Sequence, residues 1–184
     1  KKYVDILVDK GLAYPCFCSP ERLAALRKEK KELKLSPRYD RHCLALTENE
    51  IAKQYKSEPH VIRLKVPHFE SITFNDAVRN DITFNTDEID DQILLKSDGF
   101  PTYHLANVID DYHMKITHVI RGEEWLSSTP KHILLYNALG WDAPQFAHVP
   151  LLLNSDKSKL SKRQGDVAVK DYLKKGILPE ALIN

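Results

Sequence analysis

No stretch of this 184-residue chain approaches the roughly 18 consecutive apolar residues of a membrane-spanning helix, which excludes a helical span. Nothing at its start resembles a signal peptide. Cysteines number three, and they cluster at Cys16, Cys18 and Cys43. An odd, local set argues against the paired disulfide framework of small secreted domains. An excess of either charge is missing as well. With 27 Lys and Arg against 26 Asp and Glu, no global field announces a nucleic-acid partner. There is no internal repeat and no low-complexity linker. The chain opens without methionine and stops in a helix start at Pro179 with no stop signal, so a fragment of a longer protein is expected.

What remains is a composition of 42% hydrophobic and 29% charged residues, that of a globular protein with one ordinary domain or two small ones. Charge is uneven locally. Residues 21–41 hold eight Lys and Arg against four acids, whereas 81–91 hold five acids and no Lys or Arg. The basic span is either a solvated helix face or an RNA-facing surface.

Tyr3, Ile6 and Leu7 predict a first helix closed by Gly11. Pro15 keeps 13–18 extended. Ser19-Pro20 caps a helix carrying Leu23 and Leu26 to about Lys31. Residues 36–43 form a turn-rich return, and Thr47 to Glu50 is a capping box. From His60 the period changes to two: Ile62, Leu64 and Val66 alternate with Arg63 and Lys65, predicting a half-buried strand that Pro67 stops. Short strands are expected at 71–78, 81–86 and 92–95. A helix follows over 102–110, with Tyr103, Ala106 and Ile109 at helical spacing. The strand expected at 115–120, the Thr129-Pro130-capped helix ending at Gly140 and the strand at 148–153 form a crossover unit with parallel strands. Helices are expected at 167–175 and 178–184.

The chemistry should lie at the carboxyl ends of those parallel strands, where Arg121 and a basic loop both fall. Tyr103 and Asn107 are four apart and share a helix face. A phenol and an amide there can orient a polar substrate; the alternative is an aromatic core residue beside a helix-end Asn. Arg121 precedes Gly122, so its guanidinium can face a cleft and clasp a carboxylate through two parallel hydrogen bonds. The alternative is a surface ion pair with Glu123 or Glu124. In the basic loop, Lys157, Lys159, Lys162 and Arg163 surround Ser158 and Ser161. Such a loop suits the neutralisation of a polyphosphate, or is simply solvated.

Lys159-Leu-Ser-Lys-Arg163 resembles the KMSKS signature of class I aminoacyl-tRNA synthetases, in the KLSKR form common in glutamyl-tRNA synthetases. Asp98-Gly-Phe-Pro-Thr-Tyr-His-Leu-Ala-Asn107 and Thr117-His-Val-Ile-Arg-Gly-Glu-Glu-Trp125 resemble two further blocks of that family, in family order. The resemblance covers essentially the whole chain. It implies an α/β fold: the second half of a class I Rossmann-like catalytic domain (98–153), preceded by a helix of that domain (1–12). An inserted α+β acceptor-binding domain (13–97) and the start of a helical stem-contact domain (154–184) complete it. By resemblance, Tyr103, Asn107, Arg121 and Trp125 contact L-glutamate. Glu124, Leu152, Lys159 and Lys162 contact ATP, used with Mg2+, and the two lysines hold its pyrophosphate end. The implied protein is a cytoplasmic monomer that charges tRNA(Glu), with no membrane partner. The HIGH-type motif of the family would precede Lys1, so the chain as given is expected to be inert.

Three rivals stand beside this reading. They are a paralogue that glutamylates a queuosine base of tRNA(Asp), a glutaminyl enzyme, and a non-catalytic tRNA-binding module using the basic 21–41 face. The intact lysine loop, the long insertion and the Arg-Gly-Glu-Glu-Trp block favour the glutamyl enzyme.

Three thiolates and one further ligand make a normal closed zinc site. Tyr39 and His42 both flank Cys43. Some bacterial members of the family carry zinc here, with a Cys-x-Cys pair and a later Tyr-x-x-x-Cys. That pattern matches Cys16, Cys18, Tyr39 and Cys43, and prefers Tyr39 over His42. The chain departs at Asp40-Arg-His-Cys43, where those relatives usually have Asp-Gly-Arg-Cys. The alternative is three reduced cysteines buried as small hydrophobes.

Overall fold

The computed structural model describes residues 1–151, 153, 154, 156–158 and 169–183. It is an α/β structure with two sheets. Helix α1 (Lys2–Asp9) ends at Gly11 with φ +68°, the left-handed joint glycine supplies without strain. Strand β1 (Ala13–Cys16) follows. Helix α2 (Pro20–Glu32) is capped by the Ser19 hydroxyl, which accepts from the Arg22 N–H, with Pro20 as its first residue. After a 3-10 turn at His42–Ala45, α3 (Glu48–Ser57) opens on the expected reciprocal box between Thr47 and Glu50.

Strands β2 (Val61–Leu64), β3 (Ser71–Asp76), β4 (Asn80–Asn85) and β5 (Ile93–Leu95) come next, then α4 (Tyr103–His113) and β6 (His118–Gly122). A 3-10 segment, Glu123–Ser128, leads into α5 (Thr129–Leu139), and β7 (Gln145–Val149) ends the main body. Short helices α6 (Val169–Lys174) and α7 (Pro179–Ile183) lie beyond it.

One sheet runs β1-β2-β5 and is antiparallel. The other runs β4-β3-β7-β6, with β6 and β7 parallel over five paired residues. That parallel pair, with α5 between its strands, is the expected crossover unit. The antiparallel β3–β4 hairpin joins it through Asp76, opposite Phe146.

One apolar cluster reaches from α1 (Val4, Leu7) through Ile62, Leu64 and Leu94 to α4 (Leu105, Val108), α5 (Leu135, Tyr136) and Phe146. Residues on both sides of position 97 therefore share a core. A second, smaller cluster holds Tyr14, Cys16, Tyr39 and Cys43, covered by Leu23 and Leu26 of α2.

Several boundaries and faces differ from expectation. The strand expected at 115–120 begins three residues later, and that expected at 148–153 is Gln145–Val149. Pairing sets both: Gln145 lies opposite His118, and the Gln145 N–H donates to the Thr117 carbonyl. On α4 the buried residues are Leu105 and Val108, while Tyr103 is 53% exposed. Thr129 is the first residue of α5, after the N-cap Ser128, and its hydroxyl is used elsewhere.

Arg63 does not alternate outward. It is buried, its guanidinium stacking 4.1 Å from the Tyr39 ring centroid and donating to the Asp91 carbonyl at 2.9 Å. Arg41 takes φ +60° in the turn where the zinc-carrying members named above usually have glycine. The left-handed turn costs a non-glycine residue about 1–2 kcal/mol. Its side chain offsets this by donating to the Val66 carbonyl (2.8 Å) and the buried Asp91 carboxylate (2.6 Å), with His68 also in contact.

Candidate active site

The carboxyl end of β6 delivers Arg121 into a cleft of about 510 Å³ against α4. Tyr103 and Asn107, one turn apart on α4, line the same cleft. Trp125, on the 3-10 segment after β6, packs its ring 4.9 Å from that of Tyr103, and the Arg121 guanidinium lies 5.8 Å from the Trp125 centroid. The four residues expected around the amino acid are thus brought together. The Asn107 amide oxygen is buried and has no hydrogen-bond partner among the described residues. An acceptor left unpaired at a cleft wall is prepared to meet a donor.

Arg121 is half-buried, and none of its hydrogen-bond partners among the described residues is acidic. Nε donates to His148 Nε2 (3.0 Å), Nη2 to the Thr129 hydroxyl (2.8 Å), and Nη1 lies 3.4 Å from His132 Nδ1. The surface pair with a neighbouring glutamate does not form through Glu123, which pairs with Arg79 instead. Burial pushes the Arg121 pKa below its ordinary value, with the Tyr103 hydroxyl acting in the opposite sense. Arginine stays charged regardless, and a desolvated cation favours an incoming carboxylate.

Sequence reasoning missed much of what surrounds Arg121. Asp110 and Asp111 line the cleft, and burial raises the Asp111 carboxyl pKa, offset in part by Arg121. His132 is buried and its pKa is pushed down to about 3, chiefly by burial and then by Arg121, so the ring is neutral. It lies 3.0 Å from His104. A one-dimensional pattern gives little warning of these contacts; its one signal is a single histidine on each of three elements, His104, His132 and His148.

Glu124 is exposed and folds back over Gly122. A Cβ at position 122 would meet its carboxylate oxygen at 2.0 Å, so any larger residue there would push the Glu124 side chain aside. Leu152, Lys159 and Lys162 lie outside the described residues. Part of the approach to the lysine loop is described. The Leu151 N–H donates to Glu123 (3.3 Å), and Asn154 bonds Ser158 through both backbone and side chain.

A second constellation lies in the small cluster. The Sγ atoms of Cys16, Cys18 and Cys43 are all within 4.8 Å of one another, the one such group of potential metal ligands among the described residues. Cys18 and Cys43 Sγ are 3.6 Å apart, and the Tyr39 hydroxyl sits 3.4 Å from Cys16 Sγ and 3.3 Å from Cys18 Sγ. A tetrahedron with bonds of about 2.3 Å has edges of roughly 3.8 Å, so the donor set is close to metal-binding size. The Cys43 thiol holds the Cys16 pKa below the ordinary thiol range against the effect of burial, aided by Tyr39 and Arg63. His42 is not part of this group.

A family model described as tRNA synthetases class I (E and Q), catalytic domain, matches residues 1–184. The chain is 56% identical over 185 residues to a glutamate–tRNA ligase of Clostridioides difficile (strain 630), covering 100% of this chain and 38% of that protein. It is 54% identical to the glutamate–tRNA ligase of Finegoldia magna, with the same coverage. Among solved structures, a glutamate tRNA ligase from Elizabethkingia meningosepticum CCUG26117, in complex with its amino acid, superposes with a TM-score of 0.83. It is 45% identical, and the match covers 90% of this chain and 35% of that one. The chain therefore spans little more than a third of the length of these relatives.

Proposed function

This chain belongs to the class I tRNA synthetases (E and Q), catalytic domain, and from that premise we propose that it forms part of an enzyme that activates L-glutamate with ATP and transfers it to tRNA(Glu). The glutamate α-carboxylate attacks the α-phosphate of ATP. The bond from that phosphorus to the bridging oxygen breaks, and pyrophosphate leaves. A hydroxyl of the terminal tRNA ribose then attacks the glutamyl carbonyl, and AMP leaves. ATP arrives as its Mg2+ complex, the metal riding on the phosphates.

Little covalent work falls to side chains in such a step; positioning and charge stabilisation dominate. Arg121, Tyr103 and Asn107 bind and orient the amino acid, with Trp125 as the wall behind them. Glu124, Leu152, Lys159 and Lys162 are assigned to ATP. The observation that carries the reading is the half-buried Arg121, whose hydrogen-bond partners among the described residues are all neutral, in a cleft shared with Tyr103 and Asn107. We further assign 13–97 as the acceptor-binding insertion, its β3–β4 hairpin extending the β7–β6 sheet, 1–12 and 98–153 as parts of the Rossmann-like domain, and 154–184 as the start of the stem-contact domain. Three free thiols suit a reducing compartment, which supports a cytoplasmic enzyme; we assign it as a monomer.

The test is charging of tRNA by the complete gene product. Glutamate should be attached in an ATP-dependent reaction and glutamine should not. ATP-independent binding of acceptor stems without charging would instead favour the non-catalytic RNA-binding module.

The thiol cluster fits a structural zinc held by Cys16, Cys18, Cys43 and the Tyr39 oxygen, and the neighbouring Arg63 cation would offset the negative charge of three thiolates. When bound, zinc would tie β1 to the return segment and take no part in the reaction. Protein purified without chelator should contain close to one zinc per chain. Cys43→Ser should release it and sensitise the cluster to proteolysis while the 102–149 half stays folded. Metal-free protein with three freely titrating thiols and unchanged stability would refute the site.

A further inference from the structure

Asp76 and His148 are both fully buried, 72 residues apart in sequence, and stand directly behind Arg121. From their geometry we infer that the pair positions Arg121 for its carboxylate, which makes the β3–β4 hairpin a support of the amino-acid site. This inference rests on the reading of the cleft given above.

The hydrogen bonds run in one sense. Asp76 sits at the end of β3, where its Oδ1 accepts from the N–H groups of Val78 and Arg79, both at 3.1 Å, fixing the carboxylate in the hairpin turn. Its Oδ2 faces His148, accepting from the backbone N–H (3.1 Å) and contacting Nδ1 at 2.6 Å. A carboxylate can only accept, so His148 carries its proton on Nδ1. Nε2 is then a lone pair, and it receives the Arg121 Nε–H at 3.0 Å. The Thr129 hydroxyl accepts from Arg121 Nη2 and lies 3.1 Å from the same His148 Nε2. One edge of the guanidinium is thereby held. Arginine has five N–H donors. Among the described residues, bonds to His148, Thr129 and His132 use one on each nitrogen, and the remaining donors on the terminal nitrogens face the Tyr103 side of the cleft, where the substrate would bind. The carboxylate in this chain of bonds is that of Asp76, one imidazole away. It orients Arg121 without neutralising it by contact. Burial opposes ionisation of Asp76, but the His148 ring and the backbone donors hold its carboxyl pKa below the usual range.

The tautomer is the sensitive link. In Asp76→Asn the turn donors of Val78 and Arg79 fix the amide oxygen at the Oδ1 position. The amide NH2 then points at His148 Nδ1, while the His148 backbone N–H keeps the oxygen at the Oδ1 position, 3.2 Å away, as its acceptor. That moves the ring proton to Nε2, where it confronts the Arg121 N–H. The size and shape of the side chain barely change.

The experiment measures tRNA charging by the complete gene product across glutamate and ATP concentrations. KM is read on folded molecules alone, so partial unfolding lowers kcat without moving it. Asp76→Asn should raise the glutamate KM by on the order of 10²-fold, the scale of misplacing a binding group by about 1 Å, and leave the ATP KM unchanged. His148→Gln, introduced into that variant, should recover most of the loss, because a glutamine amide can rotate its oxygen to Arg121 whatever the new amide at position 76 does. Thr129→Val should raise the glutamate KM by about tenfold, as expected when one hydrogen bond to a charged group is lost, and it reads the same support should Asp76→Asn not fold. A merely structural Asp76 would give additive losses in the double variant and no selective change in glutamate KM; that result, or an unchanged KM in Thr129→Val, overturns the inference. Failure of the unmutated protein to charge glutamate would overturn the functional reading beneath it, and is distinguishable for that reason.

Discussion

Arg121→Gln should lower kcat/KM for glutamate by roughly 10²-fold to several 10³-fold, the scale of removing one partner from a buried charge pair at about 3–5 kcal/mol. The preference for glutamate over glutamine should shrink with it. The guanidinium is desolvated, and its bonded neighbours are a threonine hydroxyl and two imidazoles. A carboxylate meets the cation directly on binding, whereas a neutral amide gives it no charge partner in contact. A site whose buried polar group is left unpaired by the wrong ligand discriminates strongly. The substitution removes the cation, so both ligands then meet a neutral wall. Competition assays with glutamate and glutamine measure the ratio directly. Full preference for glutamate in the variant would mean that selectivity resides elsewhere.

How far the sequence carries depends on whether an interaction is local. The Ser19 cap with Pro20, the Thr47–Glu50 box and the left-handed Gly140 after α5 are decided within four residues, and each appears where the pattern puts it. The grouping of Tyr103, Asn107, Arg121 and Trp125 follows from motif resemblance, since helix spacing supplies only the Tyr103–Asn107 face. Tertiary partners set what the pattern misreads. Arg63 reads as the outward member of an alternating strand, but Tyr39 and the Asp91 carbonyl arrive from distant segments to cover it. Thr129 reads as a cap because Pro130 follows it, yet its hydroxyl serves Arg121. His148 reads as the first residue of a strand. Its position within β7, with Asp76 72 residues away, follows from sheet order alone. Arg41, standing where a turn glycine is usual, puts the thiol cluster in question. The left-handed turn forms all the same, because Asp91 and Val66 hold the arginine side chain.

Lys162→Ala should slow glutamyl-adenylate formation by on the order of 10²–10³-fold, the cost of one well-placed charge donor at roughly 3–4 kcal/mol, while glutamate binding changes little. Lys162 lies outside the described residues, so the expectation comes from the 159–163 motif and from the described approach to it. That approach is anchored. Glu123 accepts from the Leu151 N–H at 3.3 Å and is itself paired with Arg79. Beyond it, the Lys157 N–H donates to the Asn154 carbonyl and the Asn154 N–H to the Ser158 carbonyl, both at 2.9 Å. The loop therefore leaves the sheet next to the segment that carries Glu124 and Trp125. Charge accumulates on the departing pyrophosphate only as the bond to the α-phosphate breaks, so an ammonium there is worth most in the transition state. Binding of ground-state ATP, already neutralised in part by Mg2+, should weaken much less. Single-turnover kinetics with enzyme in excess, ATP saturating and tRNA present separate the chemical step from binding. Glutamate affinity, read from the concentration dependence of the same rate, serves as the control. An unchanged activation rate would remove Lys162 from the mechanism; an equal loss in rate and in glutamate affinity would make it a structural residue of the loop.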